Sequence, residues 1–172
     1  MDKQDRARAE RVMSYGEETA GALMNTDTIT VRPDVTVDVI LRYLRIKESL
    51  PEATDYLYVV DKSDKFIGEV SLSTLVTSQT NKLISEVMEV DFEVIPATMP
   101  ESEVASLFER YDWISAPVID EAGTLLGRIT IDDIVDIIRE DAEHSMMSMA
   151  GLDDEADTFT PAMKSTQRRS LW

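Results

Sequence analysis

Tyr58-Val59-Val60-Asp61-Lys62-Ser63-Asp64-Lys65-Phe66-Ile67-Gly68-Glu69-Val70-Ser71 runs as an apolar strand, a turn, a second strand and a hydroxyl residue. The same order returns at Pro117-Val118-Ile119-Asp120-Glu121-Ala122-Gly123-Thr124-Leu125-Leu126-Gly127-Arg128-Ile129-Thr130. Val59-Val60-Asp61 matches Val118-Ile119-Asp120, and Gly68 matches Gly127, each 59 positions on. Asp61 to Lys65 and Asp120 to Gly123 are hairpin turns, in which Asp and Gly supply the conformations that a tight reversal needs. A self-similar chain is first of all a duplicated supersecondary unit.

Working outward, each copy opens with a short β segment, Ile29-Thr30-Val31 or Glu93-Val94-Ile95. A helix follows, with Val35, Val39, Ile40 and Leu44 at helical spacing in one copy and Val104, Leu107, Phe108 and Tyr111 in the other. Closing helices begin at Ser71 and Thr130. Upstream, Leu23-Met24 matches Val87-Met88 at the larger offset of 64, because the first copy carries an extra segment, 47–53, after its helix. The order is β-α-β-β-α, twice, an α/β (α+β) fold class. One copy cannot bury both faces of so small a sheet, so the two are expected to pack about a pseudo-twofold axis, with flanking helices. The expected domains are a connecting helix or linker at 1–18, repeat one at 19–79, repeat two at 80–145, and a linker with the start of another helix at 146–172.

Composition narrows the function. Apolar residues make up 43% of 172, enough for a core. With 34 acidic and 17 basic residues the net charge is -17, which repels phosphate backbones and anionic lipid and suits cations or a basic protein surface. Nucleic acid is therefore not an expected partner. Cysteine is absent and His144 is the single histidine, so neither disulfides nor a zinc centre are expected. No apolar run reaches the roughly 18 residues of a membrane span. No nucleophile elbow, P-loop or catalytic constellation occurs, so no enzyme activity is expected.

A tandem unit ending in Gly-Glu-Val-Ser (68–71) and Gly-Arg-Ile-Thr-Ile-Asp-Asp (127–133) resembles a CBS-domain pair. With Thr19-Ala20-Gly21-Ala22-Leu23-Met24, Arg110-Tyr111-Asp112 and Thr130-Ile131-Asp132-Asp133-Ile134-Val135-Asp136, the chain is similar to the cytosolic CBS pair of MgtE-type magnesium transporters. The resemblance implies a Mg2+-sensing regulatory module at the cytoplasmic face of the inner membrane, closing a pore when Mg2+ is high. It implies a homodimer, a cytosolic domain N-terminal to Met1, and a connecting (plug) helix leading to a membrane pore domain beyond Trp172. Thr160-Pro161 fits the start of that helix, a cap followed by proline at its first position. Lys164, Arg168 and Arg169 before Leu171-Trp172 fit the cytoplasmic approach to a span. The tail alone reads equally as an amphipathic C-terminal helix. The chain is thus expected to be a soluble fragment of a longer protein.

The resemblance implies Mg2+ ligands at Asp112, Asp133 and Asp136, with Asp132, Glu140, Asp141 and Glu143 as further candidates. Asp133, Asp136, Glu140 and Glu143 share one helix face opposite Ile131, Ile134, Ile138 and Ala142. Asp136 and Glu140 are like charges at i,i+4, a repulsion that an ion would turn into attraction; the same pattern also reads as a solvated helix face. Where the family carries acids early in the second copy, this chain has Pro100 and Ser102, which leaves one implied site without carboxylates.

The resemblance also implies an adenine-nucleotide cleft, and a pair sensing ATP or AMP for another host is the alternative function. Its candidate residues are Tyr56, Ser71, Thr74, Trp113, Pro117 and Thr130. Thr130 with Asp133 also reads as a capping box, and Trp113 and Pro117 also read as core. In the first copy Thr74 replaces the aspartate that would hold the ribose diol, and a hydroxyl cannot supply that pair of acceptors. Met146, Met147 and Met149 read as a helix end or a partner patch.

Overall fold

A computed structural model describes residue 10 and residues 15–170. The expected helix over 1–18 lies mostly, and Leu171-Trp172 wholly, outside the described residues. Two compact units divide after Ile134.

In the first unit, α1 (Ala20–Leu23), β1 (Thr30–Val31), α2 (Val37–Ile46), β2 (Tyr56–Val60), β3 (Phe66–Ser71), α3 (Leu72–Thr77) and α4 (Ile84–Val87) lead to β4 (Ile95–Pro96), α5 (Glu101–Tyr111), β5 (Ser115–Ile119) and β6 (Leu125–Thr130). α6 (Ile131–Ser170) begins here. Each sheet has three strands, β1-β2-β3 and β4-β5-β6, the first pair parallel and the second antiparallel. The registers repeat: Val59 faces Gly68 as Val118 faces Gly127.

The hairpin turns form as their sequence dictates. The Asp61 carboxylate accepts from the N–H groups of Ser63 (2.8 Å) and Lys65 (3.1 Å), and Asp120 accepts from Ala122 and Thr124, both at 2.9 Å. The left-handed position falls on Asp64 (φ 62°) in one turn and Gly123 (φ 84°) in the other. The turns then meet: Phe66 N–H donates to the Gly123 carbonyl (3.0 Å) and Leu125 N–H to the Asp64 carbonyl (3.1 Å). These bonds are mates under an offset of 59, so the pseudo-twofold axis passes between Lys65 and Thr124. Tyr58, Val60, Phe66 and Leu125 are buried together beside it.

The lead-in segments are exchanged. Ile84 N–H bonds Val35 O (2.8 Å) and Ser85 N–H bonds Pro33 O (3.0 Å); 64 positions away from these partners, Ala20 N–H bonds Met99 O and Gly21 N–H bonds Ala97 O, both at 2.8 Å. The segment preceding each repeat thus docks on the other one. Ile84 is fully buried with Ile29, Val31, Leu57, Val59, Val70 and Leu75, each worth roughly 1.5–3 kcal/mol of apolar burial. Ile84, at the start of the second repeat, thus completes the first repeat's core. The larger offset belongs to the exchanged segment and the smaller to the hairpins.

The helices bury narrower faces than their periodicity suggests. In α2, Val37 and Ile40 are buried while Val39 is half exposed; in α5, Val104, Ala105 and Phe108 are buried while Tyr111 is 47% exposed. The second unit, from Val135 on, is the remainder of α6. The linker expected at 146–157 is helical, and Thr160-Pro161 lies within the helix rather than at its start. The stretch Met146 to Asp157 is rich in strong helix formers with Gly151 as its lone breaker, a cost of about 1 kcal/mol. Ile134 and Ile137 are buried, whereas Ile138 and Ala142, expected on the core face, are exposed.

Candidate functional site

Two clefts of the first unit occupy equivalent places in the two halves. One, of about 350 Å³, is bounded by Asp55, Tyr56 and Glu69 of the first repeat, by the segment Asp91-Phe92-Glu93, and by Tyr111 to Pro117. Glu69 alternates outward from a strand whose Gly68 and Val70 are buried. Glu69 and Glu89 exchange two backbone hydrogen bonds, 3.0 and 2.7 Å, so they are directly opposed in an antiparallel pair. Gly68 makes that approach possible: a Cβ there would lie 2.8 Å from the Glu89 carbonyl oxygen. Burial, then Glu89, then Asp55 push the Glu69 carboxyl up to about 7. Burial, Glu89, Glu69 and Asp55 likewise raise Tyr56.

The cleft wall is tied across the repeats. Ser115 Oγ donates to Asp55 Oδ1 (2.6 Å), so at 3.2 Å it accepts from the hydroxyl of buried Tyr58. Trp113 stacks on Tyr111 (centroids 5.1 Å, 19°) and meets buried Phe108 edge-on (5.5 Å, 84°). Trp113 is half-buried, packed on Phe108 and lining the cleft. Asp112 ends α5 in the left-handed region (φ 53°), a conformation that Asp tolerates better than most residues.

The second cleft, about 330 Å³, gathers Asn25, Asp27, Glu52, Arg128, Thr130, Asp132 and Asp133. Arg128 takes the position of Glu69 and is only 4% exposed. Its guanidinium donates to the carbonyls of Ala53 (2.9 Å) and Glu52 (2.5 Å) and meets Asp27 at 3.4 Å. The extra segment of the first copy thus ends by supplying carbonyls to a buried cation. Asp133 Oδ2 accepts from Thr130 N–H (3.4 Å), Thr130 Oγ1 (3.2 Å) and Asn25 Nδ2 (3.2 Å). That is the capping arrangement, and it engages one oxygen of a carboxylate expected to bind metal.

Of the expected nucleotide residues, Tyr56, Trp113 and Pro117 share the first cleft, with Asp112, while Thr130 lies in the second. Ser71 and Thr74 line neither; they bond each other, Ser71 Oγ to Thr74 Oγ1 at 2.9 Å, as Ser71 caps α3 through Thr74 N–H. Of the expected metal ligands, Asp132 and Asp133 join Thr130, while Asp136, Glu140, Asp141 and Glu143 are exposed along α6. Among the described residues no three carboxylate or imidazole groups converge on one point, and no helix is long and apolar enough to cross a membrane. Sequence reasoning missed Asp55, Glu69, Glu89, Ser115 and Arg128. The alignment of Gly68-Glu69 with Gly127-Arg128 held the signal, since a charge reversal between duplicated positions marks where the clefts differ.

Comparison with known proteins agrees with this architecture. The family model for the CBS domain matches residues 20–80 and 84–140. The magnesium transporter MgtE of Thermus thermophilus is 32% identical over 153 residues, 89% of this chain and 34% of that protein. MgtE of Enterococcus faecalis is 30% identical over 161 residues, 94% and 35% respectively. The chain therefore spans about a third of the length of the curated relatives it matches. A crystal structure of the cytosolic domain of the Mg2+ channel MgtE in complex with ATP superposes with a TM-score of 0.72 at 34% identity, covering 79% of this chain and 55% of that one.

Proposed function

The chain belongs to the CBS-domain family, and from that premise we propose that it is the Mg2+-sensing regulatory pair of an MgtE-type magnesium transporter. The observation that carries this reading is similarity to MgtE along nearly the whole chain, in a sequence of net charge -17. The exposed carboxylates Asp136, Glu140, Asp141 and Glu143 have no ion-pair partner among the described residues. Mg2+ keeps several waters and takes one or two carboxylates per site, so an ion shared between two copies of the chain fits carboxylates that, among the described residues, do not gather in threes. Asp112 and Asp132 are exposed and able to join such sites, and Asp133 retains Oδ1 beyond its cap.

Ions bridging a homodimer favour the compact state, and the α6 helices carry that state toward a membrane pore domain. When Mg2+ falls, the carboxylates repel and the population shifts. Each site present only in the compact state adds RT ln(1 + [Mg2+]/Kd), about 1.4 kcal/mol at ten times Kd. Titration with Mg2+ at constant ionic strength, following melting temperature and hydrodynamic radius, tests this. Millimolar Mg2+ raises the melting temperature and shrinks the particle, and the double variant Asp112→Ala/Asp136→Ala loses both responses. If neither quantity moves, or the variant behaves like the parent, the sensing reading fails.

Adenine nucleotide is the second reading, favoured by the ATP held in the 34%-identical structure. The clefts do not fit it well. The first presents Asp55, Glu69, Asp91, Glu93 and Asp112 with no Lys, Arg or His, and the basic group of the second, Arg128, is committed to two carbonyls and Asp27. A polyphosphate in either would face like charge.

A further inference from the structure

We propose that residues 52–55 are a clasp that joins the two repeats and couples their clefts, so that loosening one end loosens the other. Glu52 lines the second cleft and Asp55 the first, with only Ala53 and Thr54 between them. Four residues reach about 14 Å at most, so such a segment has little slack. The inference rests on neither Mg2+ nor nucleotide.

Both ends are fastened to one hairpin of the other repeat. Arg128 on β6 donates to the carbonyls of Glu52 (2.5 Å) and Ala53 (2.9 Å), and Ser115 on β5 donates to the Asp55 carboxylate (2.6 Å). In the β5–β6 ladder Ser115 faces Thr130 and Pro117 faces Arg128, so the two anchors belong to one pair of strands. On its own side the clasp is tied to α3, where Leu72 N–H donates to the Asp55 carbonyl (3.0 Å). Arg128 is only 4% exposed. A buried guanidinium that lost those two carbonyls would be left with unmet donors, so it and the clasp move together.

The duplicated segment shows that the anchors, and not the local backbone, make the clasp. Residues 111–114 stand 59 positions on and share its shape. Asp112 (φ 53°) matches Ala53 (φ 54°), and the bond from Ile131 N–H to the Ile114 carbonyl (2.8 Å) matches that from Leu72 to Asp55. The mate of Arg128, however, is Glu69, an acid that cannot bridge two carbonyls. The residue types at the turn differ in the same sense. Aspartate tolerates left-handed backbone, whereas alanine keeps it only where its surroundings hold it. Ala53 is therefore held by the bonds on either side of it, and the segment has a relaxed state to enter when an anchor is released.

Nuclear magnetic resonance of the isotopically labelled chain tests the coupling. Ser115→Ala removes one anchor, while Leu72 and Arg128 are each bonded to the clasp itself. Hydrogen exchange at the Leu72 amide is taken relative to the Ile84 amide, which bonds Val35, so that a general loss of stability cancels. In Ser115→Ala that ratio rises at least fivefold and the Arg128 guanidinium rotates at least fivefold faster. Ser115→Thr, which keeps the hydroxyl, returns both to within twofold of the parent. Arg128→Met raises the Leu72 ratio at least fivefold from the other end. The double variant Arg128→Met/Ser115→Ala exceeds the larger single effect by no more than twofold, because one release already frees the clasp. Circular dichroism confirms that each variant is folded. An unchanged Leu72 ratio or unchanged Arg128 rotation in Ser115→Ala, or single effects that multiply in the double variant, overturns the proposal.

Discussion

Glu69 and Arg128 occupy the same place in the two halves, each locked by a reciprocal backbone pair to the lead-in segment of the other half, yet they carry opposite charges. Glu69 is paired with Glu89, and Arg128 with Asn25. The hydrogen bonds are matched, 3.0 and 2.7 Å against 2.8 and 2.8 Å. The electrostatics are not: Arg128 has an acid and two carbonyls to meet, whereas Glu69 faces further acids.

A stability profile in pH reads this difference. Burial and the neighbouring acids push the Glu69 carboxyl up to about 7 in the folded chain, against 4.5 for a free glutamate side chain. The folded state binds the extra proton, so Glu69's contribution is fully present below about 4.5 and is lost as pH rises through 7. Glu69→Gln removes that loss. After allowance for solvent screening of a partly exposed group, the variant gains roughly 1 kcal/mol over the parent at pH 8, and the two converge near pH 4. Urea melts at the two pH values check it; an equal difference at both contradicts the assignment.

Arg128→Met carries the opposite expectation. It leaves Asp27 and the carbonyls of Glu52 and Ala53 without their donor, and Asp27 recovers part of the loss in water because it is 52% exposed. The expected destabilisation is about 2 kcal/mol, read from the urea midpoint.

Gly127 and Gly68 test the exchanged segments themselves. A Cβ at residue 127 would run into the Asn25 carbonyl oxygen, and one at 68 would come within 2.8 Å of the Glu89 oxygen and 3.1 Å of the Met88 sulfur. Gly127→Ala is expected to cost about 3 kcal/mol and Gly68→Ala about 2, because both must displace a backbone carbonyl and the overlap at 127 is the deeper. Hydrogen exchange at the amides of Asn25 and Glu89 rises in the respective variants.

The Asp133 carboxylate is expected to report as a cap. Asp133→Ala lowers stability by about 1 kcal/mol without added metal; Asp133→Asn, which keeps an acceptor for Thr130, loses less than half of that. A thermal melt in chelator decides, since a residue acting only as a Mg2+ ligand would show no change there.

Much of this was legible in the residues. The doubling followed from Gly68 and Gly127 and from Val59-Val60-Asp61 and Val118-Ile119-Asp120, because each strand, turn and cap has a local chemical signature. The cap at Thr130 and Asp133 was visible for the same reason. Periodicity placed Val39 and Tyr111 on buried faces and misjudged both, because spacing defines a face without saying how wide the neighbour covering it is. The helix through 146–157 was missed because Thr160-Pro161 read as the start of a separate helix, which made the residues before it a helix end and linker, whereas one helix runs through both.

The sequence by itself determined the duplicated α/β unit, the acidic surface and the absence of cysteine chemistry, since hydrophobic pattern, turn residues and net charge are local or additive properties. Only the tertiary structure decided that the lead-in segments are exchanged, that Ile84 belongs to the first core, and that Asp55 and Glu69 share a cleft with Trp113. Residues that lie between 14 and 58 positions apart there have no common signal along the chain; they meet because backbone hydrogen bonds between the two halves bring them within reach.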